Sequence, residues 1–128
     1  MKKRSILPSI CSIASLLVTT SAASAEDVEH GRRVFRLCVA CHKVDSDRNG
    51  FGPHLKGVVG RPAGSLPDYR YSEAMKTAGA GGLVWDEAAL SEFLSNPKKK
   101  VPGTKMSFGG LWTTSEITDL IGYLRANP

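Results

Sequence analysis

With three cysteines in 128 residues, the chain can close at most one disulfide within itself. No apolar run is long enough to cross a bilayer. The longest covers residues 6–18, only 13 positions, and contains Pro8, against the ~20 apolar residues a transmembrane helix needs. No segment alternates polar and apolar side chains convincingly enough for a half-buried strand. There is also no internal repeat and no sign of a second domain.

A strong charge of one sign is missing too, once the basic start is set aside. Lys2, Lys3 and Arg4 precede the apolar run, and Ser21-Ala22-Ala23-Ser24-Ala25 follows it, with Ala23-x-Ala25 as a small-residue cleavage site. This is the pattern of a secretory signal peptide over residues 1–25, removed after Ala25 to leave a single domain, residues 26–128. Cys11 follows Ile10 rather than a small residue, which argues against a lipid-anchored cysteine, and it leaves with the leader. The 103 residues that remain carry 14 basic and 12 acidic groups. That near-balance, with export to the periplasm, argues against nucleic-acid binding. A domain of this size buries only a little over ~60% of its unfolded surface, so its core is marginal and often needs a covalent or cofactor staple.

The helical signals are short. Val28, Gly31, Phe35 and Cys38 share one face of a helix predicted over residues 27–38. Ser72 caps a second helix ending near Gly79, and Asp86 caps a third, in which Leu90, Phe93 and Leu94 share a face until Asn96-Pro97 stops it. Thr113-x-x-Glu116 is a capping box for a fourth, with Ile117, Leu120, Ile121 and Leu124 in register. Residues 43–66 and 96–110 read as irregular, rich in glycine and proline. Loops this long in so small a domain usually carry function.

Cys38-Val39-Ala40-Cys41-His42 is C-x-x-C-H, the c-type haem attachment pattern. Two residues between the thiols, on a helical turn, let each sulfur reach one vinyl group of haem, and the adjacent imidazole then lies under the iron. Three other readings compete. A thioredoxin-like pair wants a βαβ context, which is absent. Zinc needs a fourth ligand, and His30 and His54 lack ligand-like spacing. A disulfide here would close almost no loop.

Iron held by His42 needs a sixth ligand or leaves an open position for a small molecule. Met75, Met106, His30 and His54 are the candidates. Met75 falls in a predicted helix, where methionine more often fills gaps in a core. Met106 sits in the irregular Pro102-Gly103-Thr104-Lys105-Met106 segment, 64 residues after His42. It is favoured on spacing, with an ordinary surface methionine as the alternative.

Taken in order, several motifs resemble class I cytochromes c, of the bacterial soluble type similar to the mitochondrial carrier. They are Gly31-x-x-x-Phe35, Cys38-x-x-Cys41-His42, Gly52-Pro53-x-Leu55-x-Gly57-x-x-Gly60-Arg61, Tyr69-x-Tyr71-Ser72, Trp85, Asn96-Pro97-Lys98-Lys99, Pro102-Gly103-Thr104-Lys105-Met106-x-Phe108 and Asp119-Leu120-Ile121-x-Tyr123-Leu124. The resemblance implies an all-α fold, the small cytochrome c fold, with four or so short helices and long loops wrapped around one haem c attached through Cys38 and Cys41. It implies His42 and Met106 as axial ligands and the Pro53 carbonyl as acceptor for the His42 Nδ1 proton. It further implies Tyr71, Trp85 and Thr104 as propionate partners, Arg61 as the offset to their charge, and Gly31 as the point where first and last helices cross, with Phe35 on Leu120 and Tyr123.

Two positions depart from the family pattern. Phe93 stands where a tyrosine hydroxyl usually reaches the methionine sulfur, which is expected to lower the potential relative to a tyrosine version. Met75 stands where an asparagine commonly helps to hold internal water, which implies a drier wall and a second thioether near the iron.

The function implied is a soluble periplasmic one-electron shuttle rather than an enzyme, and a monomer. Lys98, Lys99, Lys100 and Lys105 are expected to ring the exposed haem edge and to draw acidic docking surfaces on redox proteins or membrane complexes, a solvated face being the plainer alternative. A peroxidase-like enzyme or a gas-binding haem protein is the competing function, and either needs the sixth position to open.

Overall fold

A computed structural model describes residues 25–128. The expected leader and its cleavage site after Ala25 fall almost wholly outside the described residues. Among those described, the architecture is helical: α1 (Val28–Val34), which tightens into a single 3₁₀ turn (Phe35–Leu37), then α2 (Glu73–Ala80), α3 (Glu87–Ser95), α4 (Pro97–Lys100) and α5 (Thr114–Arg125). Extended pairing is limited to one isolated antiparallel bridge between Pro62 and Val84.

The caps explain where the helices start. The Asp27 carboxylate accepts from the His30 N–H, Ser72 from Met75, Asp86 from Ala89, and Thr113 forms a reciprocal box with Glu116. The helix predicted over 27–38 ends earlier as α-helix because its last turn is 3₁₀, delivering Cys38 in a tighter path. The stretch predicted as irregular after Asn96 contains α4. Asn96 caps that turn by accepting from Lys99 N–H, and Pro97 takes the first helical position, where its missing donor costs nothing.

α1 and α5 cross at Gly31. A Cβ placed there would lie 1.9 Å from the Asp119 carbonyl oxygen and 2.8 Å from Tyr123 Cβ, so only hydrogen lets the backbones approach this closely. Phe35 and Tyr123 stack in a tilted pair with centroids 5.4 Å apart, and Leu120 and Leu124 are buried beneath them. The Asp119 carboxylate accepts from Asp27 N–H at 2.9 Å and from His30 Nδ1 at 2.7 Å, tying the helix ends together. Those two donors hold its carboxyl below the usual aspartate range, His30 contributing most. Arg125 pairs with Glu26 at 2.7 Å and also with Glu87.

The long loops are held by bonds between distant residues. Gly52 N–H donates to the Cys41 carbonyl at 2.9 Å, and Leu55 N–H to Lys43 at 2.6 Å, folding residues 43–55 back onto the C-x-x-C-H turn. Gly60 and Trp85 N–H groups donate across to Trp85 and Arg61 carbonyls at 2.8 and 2.9 Å, around the Pro62–Val84 bridge.

Candidate haem site

Cys38 closes the first helical segment, and both Cys41 N–H and His42 N–H return to its carbonyl, at 3.1 and 2.9 Å. The turn therefore sets two thiols and an imidazole on one short loop. Both cysteines are unpaired, Cys38 half-buried and Cys41 exposed. Burial, and secondarily Cys41, pushes the Cys38 thiol up to about 11, so at neutral pH it is protonated.

His42 Nδ1 donates to the Pro53 carbonyl at 2.7 Å, which fixes the tautomer and leaves Nε2 as the free nitrogen. Burial holds the imidazole below its usual pKa against the raising effect of that bond, so the ring is neutral, the state a metal requires. A Cβ on Gly52 would lie 2.4 Å from His42 Cε1; glycine is what leaves room for the ring.

These groups open onto a cavity of about 470 Å³. The residues that the resemblance assigns to haem attachment, axial ligation and the propionates all line it: Cys38, Cys41, His42 and Pro53 on one segment, Arg61, Tyr71 and Trp85 further along, then Thr104 and Met106. Of the four candidate sixth ligands, Met106 and Met75 line the cavity, and His30 and His54 do not. His30 is bound to Asp119 on the α1–α5 crossing, and His54 is buried elsewhere, its Nδ1 without a partner. Thr104 Oγ1 accepts from Met106 N–H at 3.3 Å, bracing the backbone at that methionine.

Phe93, Leu90, Leu94, Leu120 and Leu124 make the cavity largely apolar. Trp85, packed on Phe93 with centroids 4.9 Å apart, completes that wall. Arg61 is held by the His54 and Lys56 carbonyls at 2.9 and 3.2 Å. Burial pushes the Tyr71 phenol up, so it keeps its proton and can donate. Among the described residues, no three His, Cys, Asp or Glu side chains converge as a metal-binding group, which gives the zinc reading no support.

The lysines divide. Lys105 lines the cavity, donates to the Arg70 carbonyl and sits 4.7 Å over the Tyr69 ring. Lys100 is half-buried and pairs with Glu92 at 2.5 Å. Lys98 and Lys99 are exposed on α4 and have no acidic partner among the described residues. Sequence reasoning missed Asn49, whose side chain accepts from His54 N–H at 2.9 Å and reaches the Asp68 carbonyl at 3.4 Å, joining two loops.

The sequence matches the Cytochrome c family model over residues 28–128. The family is settled by that span. The chain belongs to the cytochrome c family. It is 50% identical over 99 residues to cytochrome c2 of Agrobacterium tumefaciens (strain II Chrys), covering 77% of this chain and 89% of that protein. It is 42% identical to cytochrome c-554 of Methylosinus trichosporium over 125 residues, 97% of this chain and 92% of that one. Its fold is similar to that of cytochrome cH from Methylobacterium extorquens, with a TM-score of 0.72 and 46% identity, over 78% of this chain and 98% of the other. Membership of the cytochrome c family implies a covalently bound haem c. The residues present fit that group: two unpaired thiols, a neutral imidazole with one nitrogen already bonded to backbone, and thioether donors around a mostly apolar cavity. No helix among the described residues is long and apolar enough to cross a membrane.

Proposed function

We propose that this protein is a periplasmic one-electron shuttle whose haem c is attached through Cys38 and Cys41 and coordinated by His42 and Met106. The observation that carries this reading is the convergence of both thiols, His42 and Met106 on one cavity. Bound there, haem c supplies a ferric–ferrous couple, and a thioether ligand in a buried site favours the ferrous form and raises the potential.

The chain's own residues keep that site still. The Pro53 carbonyl orients His42, and Thr104 steadies the backbone of Met106. Arg61, braced by two carbonyls, and Tyr71, with its retained proton, provide a charge and a donor for the propionates. With His42 and Met106 both holding a bound haem iron, no place would be left for substrate, which would separate a carrier from a peroxidase-like enzyme or a gas-binding protein.

Lys98 and Lys99 give the shuttle an unpaired positive edge for an acidic partner. Single-residue variants read by optical spectroscopy test the ligand assignment. Met106→Ala is expected to convert the iron to high spin and to admit carbon monoxide or cyanide. Met75→Ala is expected to stay low spin and closed. Rapid uptake of either ligand by the unaltered protein would refute the filled site.

A further inference from the structure

Among the described residues, three large apolar side chains are more than half exposed: Leu37 at 62%, Phe51 at 88% and Trp112 at 96%. Leu37 and Phe51 line the haem cavity, so a group bound there meets them. Trp112 does not line it, so the cavity does not account for its exposure. Tryptophan is heavily buried on average, and a wholly exposed one forgoes the large apolar burial its ring offers.

Its backbone is not loose. Leu111 on one side is buried and donates from its N–H to the Leu94 carbonyl at 2.8 Å. Thr113 on the other side is the N-cap of α5, locked in a reciprocal box with Glu116. The indole therefore stands on a fixed platform, and binding through it costs little ordering.

The same platform adjoins α4. Gly110, at φ +106°, lies so close to the end of α3 that a Cβ would be 2.0 Å from the Ser95 carbonyl oxygen. Trp112 is two residues from that contact and Lys98 is three. At 3.3–3.6 Å per residue, the two backbones are within about 20 Å of each other. An interface of ~800 Å² per partner, roughly 30 Å across, covers both.

We infer that Trp112, with Lys98 and Lys99 within the span of one interface, is the anchor of a docking surface for the shuttle's redox partner, a protein with an acidic rim around an apolar recess that takes the indole. The inference rests on the shuttle reading and adds to it. Lysine charge alone speeds encounter, while a buried aromatic anchor sets how long and how specifically the pair stays together. Charge complementarity selects the acidic partner, and the lone ring selects a recess rather than a flat face.

The test uses haem-loaded protein, with membranes of the source organism as oxidant of its ferrous form and hexacyanoferrate(III) as a small-molecule control. Trp112→Ala is expected to raise the KM with membranes about tenfold or more and to leave the absorption spectrum and the hexacyanoferrate rate unchanged. Trp112→Phe is expected to recover most of the loss. Reversing Lys98 and Lys99 to glutamate should slow the membrane reaction at low salt and lose that effect at high salt. A Trp112→Ala protein with unaltered KM, beside an active parent, overturns the anchor alone. A parent that membranes do not turn over, while hexacyanoferrate does, overturns the shuttle reading and the anchor with it. Protein-free vesicles of phosphatidylethanolamine and phosphatidylglycerol that bind the parent and release Trp112→Ala would assign the ring to lipid and overturn it as well.

Discussion

The α1–α5 crossing and the cavity loops are built on opposite terms. At the crossing, glycine is present so that nothing intervenes: the Gly31 backbone rests against the Asp119 carbonyl, and Phe35 and Tyr123 close the gap on one side. In the loops, Gly52 keeps a space clear for an imidazole beside a cavity of about 470 Å³. The backbone contact of the first region is made within the chain, although Phe35, Leu120 and Leu124 also face the cavity, and the second is arranged around something the chain must acquire. Order in the loops therefore depends on loading more than order at the crossing does.

The largest effect should come from denying the cavity its covalent occupant. The cavity of about 470 Å³ has a largely apolar wall, and without an occupant that wall loses its burial in a domain whose whole stability is marginal. The Cys38→Ala/Cys41→Ala protein is expected to be mostly unfolded by far-UV circular dichroism. Whatever hydrogen-exchange protection survives should lie in α1 and α5, with none in residues 43–66. Protection retained equally in the loops would erase the contrast.

Next comes the crossing itself. Gly31→Ala gains up to about 1 kcal/mol of helix propensity, but its Cβ would meet a backbone oxygen at 1.9 Å, and neither helix can yield without parting from the other. Overpacking of this kind costs about 1–3 kcal/mol, occasionally more. The clash wins, so thermal denaturation of the loaded variant should show a clearly lowered Tm, with the haem spectrum preserved below it.

The smallest effect concerns pH. The folded Asp119 carboxyl is held below its ordinary value of 3.8, first by His30 and then by the Asp27 N–H. A depressed carboxyl contributes stability that is fully present above the unfolded pKa and is lost as pH falls through the folded one. The parent should melt a few degrees above Asp119→Asn near neutrality, and that lead should shrink in acid, beginning near pH 3.8. A gap that does not vary with pH would remove the carboxylate from the clamp.

Local chemistry was the part most legible in the sequence. Ser72, Asp86 and Thr113 cap their helices as their side chains and spacing suggest, because a cap acts within three residues. The C-x-x-C-H motif is legible for the same reason. α4 was hidden because Pro97 reads as a stop after α3 and Lys98, Lys99 and Lys100 offer no apolar period, although asparagine followed by proline is also how a helix begins. Apart from the His42–Pro53 bond, which the family resemblance implied, the long-range bonds that tie the loops were not legible. Asn49 reaches Asp68, Arg61 reaches the His54 and Lys56 carbonyls, and Lys100 reaches back to Glu92, contacts that no periodic pattern announces. The lysine row reads as uniform in sequence, and only folding divides it into paired and unpaired members.

Arg125 grips Glu26 on one side and Glu87 on the other, and none of the three sends a side chain into the cavity. A tether fixed near residue 26 and one fixed near residue 128 would therefore leave from neighbouring points. Mounted there on an electrode, each molecule would be held by groups that take no part in lining the cavity.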